Sequence, residues 1–301
     1  MRARHLACLT TAAALFAAPA FAQSSEESGA DQGDIVVTGK ADQPTKGEIS
    51  KQARTVTRKQ DLHDLPLARF EDRLCPGVIG LKPEFASLLI DRIRYNAKQA
   101  DLRLGDDSKC SPNVVILFTE DGQAELSALE ERRGYLFAPL PLHERRELLA
   151  ETGPVRVWTT TQTKLLNGMP VPKRENLTDI PVARMHAAHS KIYFATREDI
   201  SFVVVAFDRE GVRGKTLVQL ADYATMRALA RTVPAEGDQA MGTILGLFDD
   251  GAMPPEEMTE FDRAYLASLY DGMPNLPGAT KVLGVNRQLR LQQAAEEEAQ
   301  P

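Results

Sequence analysis

Residue types that could do chemistry are few, and their spacing decides what they can do. Beyond the first 22 residues the histidines are His63, His143, His186 and His189. Only the last two are close, as His186-Ala187-Ala188-His189. An i, i+3 pair can share one helix face and hold a metal. No carboxylate or cysteine stands beside it to complete the ligand set. Solvated loop histidines are the alternative, and no metal is expected. No His-Glu-x-x-His occurs. Acidic pairs stand at Asp106-Asp107, Asp249-Asp250 and Glu256-Glu257. Each lies in a polar stretch beside glycine or proline, as turn residues do, and the dense Asp-x-Asp-x-Asp-Gly calcium pattern is absent. His186, His189, Asp249 and Asp250 are therefore carried as candidate cleft residues, with no catalytic residue assigned.

Phosphate binding is the next chemistry to weigh. The run Phe202–Phe207 leads into Asp208-Arg209-Glu210-Gly211-Val212-Arg213-Gly214-Lys215-Thr216 and then a helix. Strand, loop, Gly-Lys-Thr, helix is a phosphate-loop context, but the first glycine should stand where Arg209 sits. Thr216 instead fits an N-cap, with Gly211 and Gly214 supplying turn geometry. No Gly-x-Ser-x-Gly or Ser-x-x-Lys nucleophile pattern occurs. No cofactor is expected.

The 301 residues are 43% hydrophobic and 26% charged, with net charge −6. That balance argues against nucleic acid as a partner. Residues 1–22 read as a basic start, an apolar stretch from Leu9 to Phe16, and Ala20-Phe21-Ala22. This is the pattern of a secretory signal peptide with cleavage between Ala22 and Gln23. The apolar stretch is too short for a membrane anchor, so a periplasmic or secreted location is expected. Removal of Arg2 and Arg4 takes 36 basic residues to 34 against 42 acidic ones, a net charge of −8. Cys8 leaves with the leader. Cys75 and Cys110 remain, and an even pair in an oxidising compartment reads as one disulfide.

Elements that would position these residues follow from periodicity. Residues 23–52 are polar and read as a disordered linker. They are interrupted by the β-prone island Asp34–Lys40, with Ile35, Val36 and Val37 at its centre. A first strand is expected at Ala53–Arg58. Pro83 opens a helix to about Lys98, with Ala86, Leu89, Ile90, Ile93 and Ala97 in one stripe. Asn113–Phe118 reads as a buried strand, followed by helices at Gln123–Arg132 and from Pro141 to Leu149. Val155–Thr163 is a strand by β-branched and aromatic content. Residues 165–181 read as a loop or hairpin excursion, and Ile192–Ala195 and Phe202–Phe207 as two strands. Leu217–Arg231 is a helix whose inner face carries Leu217, Leu220, Ala221, Ala224 and Ala228. Thr259 and Asp262 form a capping pattern for a helix ending near Asp271-Gly272. A last helix spans about 279–298. The order implies α+β: a globular domain at 53–275 with a mixed sheet and packed helices, then a C-terminal helix and polar tail at 276–301.

Leu217–Arg231, Gly242–Asp250 and Met258–Tyr270 together resemble the ending of secreted zincin-like, metallopeptidase-related bacterial families. There an active-site helix is followed by a short apolar segment and a Thr-x-x-Asp-x-x-x-Leu helix. The resemblance implies a zincin-like scaffold. Aligned on Ala228-Leu229, the ligand and base positions fall on Tyr223, Ala224 and Arg227, none of which binds zinc or acts as the glutamate base. The whole chain also looks like exported proteins of alphaproteobacteria, which implies no activity. Asp34–Lys40 is similar to the segment after the signal peptide of TonB-dependent receptors, and would dock by strand addition to a periplasmic partner. The sequence reading is thus a non-catalytic envelope protein that binds a ligand or a protein partner. A hydrolase with no visible motif is the alternative.

Overall fold

Thr45 accepts from the Glu48 amide and Glu48 reaches back to the Thr45 amide, a capping box that starts α1 (Lys46–Thr55). In the computed structural model, which describes residues 43–58, 62, 65–106, 109–172, 190, 192–251 and 253–299, this helix replaces the strand expected at Ala53–Arg58. It also begins inside the stretch read as linker. The β-branched Thr55-Val56-Thr57 run suggested a strand. The cap and the burial of Ile49 and Ala53 against the core decide for a helix. The described residues from Gln43 onward form one compact unit.

The sheet has four strands in the order β1-β2-β4-β3. β1 (Pro76–Ile79), β2 (Val114–Thr119) and β4 (Thr196–Asp208) run parallel, and β3 (Val155–Leu165) lies antiparallel to β4 at the edge. The fold is therefore α+β with a mixed sheet. The segment Ile192–Ala195 is not a strand. One long β4 takes its place, because Thr196–Ile200 continues to pair with Thr161–Leu165 beyond a register shift at Thr160/Thr161. β3 then turns tightly at Asn167-Gly168, where Gly168 has φ +86° and its amide donates to Leu165 O.

Alternation along the strands gives the sheet two apolar faces. Val114, Ile116, Phe118, Val203, Val205 and Phe207 face the main core. α2 (Pro83–Gln99) and α5 (Leu217–Leu229) cover this face, packed on each other. α6 (Glu260–Tyr270) and α7 (Gly278–Ala299) form a further pair, and α7 also packs on α1. The opposite face carries Trp158 and Val204, covered by α3 (Gly122–Arg133) through Leu126 and Leu129, by α4 (Leu142–Ala150) through Leu148, and by Phe137 and Leu140 in the link between them.

α5 is buried on every side from Gln219 to Leu229, not on one stripe. Its polar residues are bonded within the protein, Arg227 Nε excepted. Asp222 accepts from Arg92 Nε and Nη2 and from the Met258 amide, each at 2.7 Å, and from Asn96 Nδ2 at 2.6 Å. Thr216 caps the helix, with Gln219 completing the box. Gly214, at φ +78°, supplies the left-handed turn before it.

The expected disulfide is present. Cys75 and Cys110 join with Cα atoms 6.0 Å apart. They stand just before β1 and β2, so the bridge closes the β1-α2-β2 unit at the starts of its two strands.

Candidate functional site

Asp249 and Asp250 lie on a cleft of about 550 Å³ at the carboxyl ends of β2 and β4, with Glu120, Asp121, Asp208 and Lys215. Ligands of open α/β sheets commonly bind at such ends. Asp249, Asp208, Asp121 and Glu120 are engaged locally. Asp249 accepts from the Gly237 and Gly251 amides at 2.8 and 3.1 Å. Asp208 accepts from Gly122 N and Arg156 Nη1, both at 2.8 Å. Asp121 caps α3 through the Ala124 amide. Glu120 faces Arg209 at 3.1 Å. Among the described residues no group of three or more His, Cys, Asp or Glu could hold a metal ion. His186 and His189, and likewise Ile35, Val36 and Val37, lie outside the described residues.

A different site emerges on the outer face of the sheet. The pairing places Gly77, Val115, Val204 and Trp158 in one cross-strand row, and Ile79, Leu117, Ala206 and Arg156 in the next. α3 lies over this face, directing Leu126 and Leu129 toward Trp158 and Val204. Ala206 in the rows, and Ala124 and Ala128 on the helix, leave the space between unfilled. The result is a groove of about 820 Å³ whose floor is Val115, Leu117, Val204 and Ala206. Ile79, 58% exposed, marks its open end at the sheet edge.

The charged residues of the groove are Glu125, Arg132 and Arg133. Thr119 Oγ1 donates to Glu125 Oε1, so that carboxylate is engaged. Arg132 Nε donates to the Ala128 carbonyl at 3.2 Å, and neither Arg132 nor Arg133 is ion-paired among the described residues. Two unpaired guanidinium groups thus stand at the C-terminal end of α3, where cations are favoured. An apolar trough of a size suited to a small molecule, with a few polar groups at one end, is the ordinary form of a ligand pocket.

The sequence reading missed this groove. Its floor alternates with core residues along three strands, and only the register brings those positions together. Tyr223, Ala224 and Arg227 sit on the buried α5. Arg227 Nη1 donates to Tyr223 Oη at 2.5 Å, and burial raises the Tyr223 hydroxyl pKa above the ordinary tyrosine value. Comparison with known proteins finds no matching family model, curated protein or solved structure.

Proposed function

We propose that this chain is an exported cell-envelope binding domain that holds an anionic amphiphile, an acyl chain ending in an acid, in the groove beneath α3. The groove itself carries the proposal: an apolar floor built from two cross-strand rows, left open beside two unpaired arginines. The acyl chain would cover Val115, Leu117, Val204 and Ala206, and the acid would face Arg132 and Arg133. Burial of apolar surface drives such binding, at about 25 cal/mol per Å², and the exposed ion pairs add at most about 1 kcal/mol each. The leader-like residues 1–22 and the Cys75–Cys110 bridge support an oxidising, extracytoplasmic setting. Among the described residues no helix is long and apolar enough to cross a membrane.

The same reading treats α5 as the central helix of a zincin-like scaffold without a metal centre. Support comes from the order of β4, the central helix α5, the short apolar turn Ile244–Gly246 and the capped α6. The acidic cleft lends the hydrolase alternative no support, because Asp208, Asp249 and Asp121 are engaged by neighbouring amides.

Trp158 is the only tryptophan of the chain and lines the groove, so its fluorescence reports occupancy. Titration with dodecanoate below its micelle concentration is expected to give a saturable change. Ala128→Phe, which fills the groove from α3, should abolish it. Arg132→Gln with Arg133→Gln should weaken dodecanoate by about fivefold and leave dodecanol unchanged. A flat titration, or one that Ala128→Phe leaves intact, refutes the proposal.

A further inference from the structure

We infer that a second, smaller cavity beside the free edge of β3 is a carboxylate-binding site built on Arg227. The cavity, of about 160 Å³, lies between β3, α4, the end of α5 and the segment Arg231–Pro234. Its charged residues are Arg58, Arg227 and Arg231, with Glu144, Glu147 and Glu151. All but one are met within the protein. Arg58 Nη2 stands 3.1 Å from Glu147 and 3.9 Å from Glu144. Arg231 Nη2 stands 2.9 Å from Glu144, and Glu151 Oε1 accepts from the Gly153 amide at 2.7 Å. Arg231 holds a left-handed backbone, φ +48°, a conformation that costs a non-glycine residue on the order of 1 kcal/mol or more.

Arg227 is the exception. Its residue is 9% exposed, yet no carboxylate lies within 4.0 Å of it among the described residues. Nη1 is spent on Tyr223 Oη, the guanidinium carbon sits 5.4 Å from the Tyr223 ring centroid, and Nε has no acceptor. Trp158, 8% exposed and lining the same cavity, has an indole Nε1–H that also lacks an acceptor. Buried charges and N–H groups are normally matched. Elsewhere in this chain Arg92 uses Nε and Nη2 to hold Asp222 at 2.7 Å on both contacts. The same edge of Arg227 stands without its carboxylate. A small carboxylate in the cavity supplies the missing acceptor for Arg227, beside Trp158, which borders the same space. The volume falls well below the roughly 300 Å³ of drug-sized pockets, which restricts the ligand to a small acid.

This site does not rest on the groove; Trp158 borders both spaces, and Ala128, which borders only the groove, separates the two tests. The single tryptophan gives one indole resonance in the ¹H–¹⁵N spectrum of the labelled protein. Acetate is expected to shift that resonance saturably, and chloride at equal ionic strength is not. Arg227→Gln should weaken acetate about tenfold or more, with folding checked by the dispersion of the amide spectrum. Arg227→Lys keeps a buried cation but lacks the forked edge, and should also weaken acetate about tenfold. Ala128→Phe should leave acetate binding unchanged. No shift with acetate, an equal shift with chloride, or unaltered affinity in Arg227→Lys overturns the assignment.

Discussion

Asp222→Ala is the most informative single substitution for the core. The carboxylate is fully buried, and it gathers four donors from three residues: Arg92 twice and Asn96 on α2, and the Met258 amide ahead of α6. Truncation takes both forked contacts from Arg92, whose side chain is 22% exposed and keeps only Glu257 as a carboxylate partner, leaves Asn96 Nδ2 with Thr225 Oγ1 alone at 3.2 Å, and orphans the Met258 N–H. Breaking a buried pair by removing one partner costs about 3–5 kcal/mol. Against a total stability of about 5–15 kcal/mol, that loss should lower the melting temperature by roughly 10 °C or more. Asp222→Asn should not rescue it. Either amide orientation sets an NH2 group against two N–H donors. Glu257→Ala is the control. Glu257 meets the same Arg92 at 2.9 Å but is 59% exposed, so its loss should cost under about 1 kcal/mol. The assay is urea unfolding followed by circular dichroism. If Asp222→Ala costs no more than Glu257→Ala, the clamp is not what joins α2, α5 and the approach to α6.

Two other outcomes follow from the same structure. Reducing Cys75–Cys110, or replacing both with alanine, should cost about 4 kcal/mol in the chain-entropy account for a 35-residue separation; an unchanged urea midpoint would refute it. Burial pushes the Lys281 ammonium down to about 8, below the unfolded value near 10.4. Between these values the unfolded chain binds more protons, so stability should rise from about pH 8 to about pH 10. Lys281→Met should lack that rise; parallel pH profiles for the two proteins would contradict it.

Much of the fold is legible in the sequence because local signals agree with burial. Pro83 and the stripe through Leu89 and Ile93 mark α2, and Thr259 with Asp262 marks the start of α6, where the box is formed. Asp262 does more than the cap requires. It is fully buried and also accepts from Thr243 Oγ1 and the Ile244 amide, while burial raises its carboxyl pKa above the usual aspartate value. The Thr45-x-x-Glu48 signal for α1 is equally present, but it lies in a polar stretch whose composition pointed to a linker. α5 misleads in the opposite way. Gln219, Asp222, Thr225 and Arg227 look like an exposed face, and each is buried. Composition cannot distinguish a solvated polar side chain from one bonded to a residue far away in the chain. The site was hidden for a related reason. Val115 and Leu117 gain meaning only beside Val204 and Ala206, nearly ninety positions away.

The strand order sets a schedule for assembly. β4 lies between β2 and β3, so neither has its sheet partner there until residues 196–208 arrive. A chain cut before that point carries a parallel pair, β1-β2, with an open backbone edge, and a solitary β3. Such edges invite pairing between molecules. The sheet is therefore completed only about two-thirds of the way along the chain. Fragments ending ahead of Thr196 should be prone to aggregate rather than to persist as folded halves.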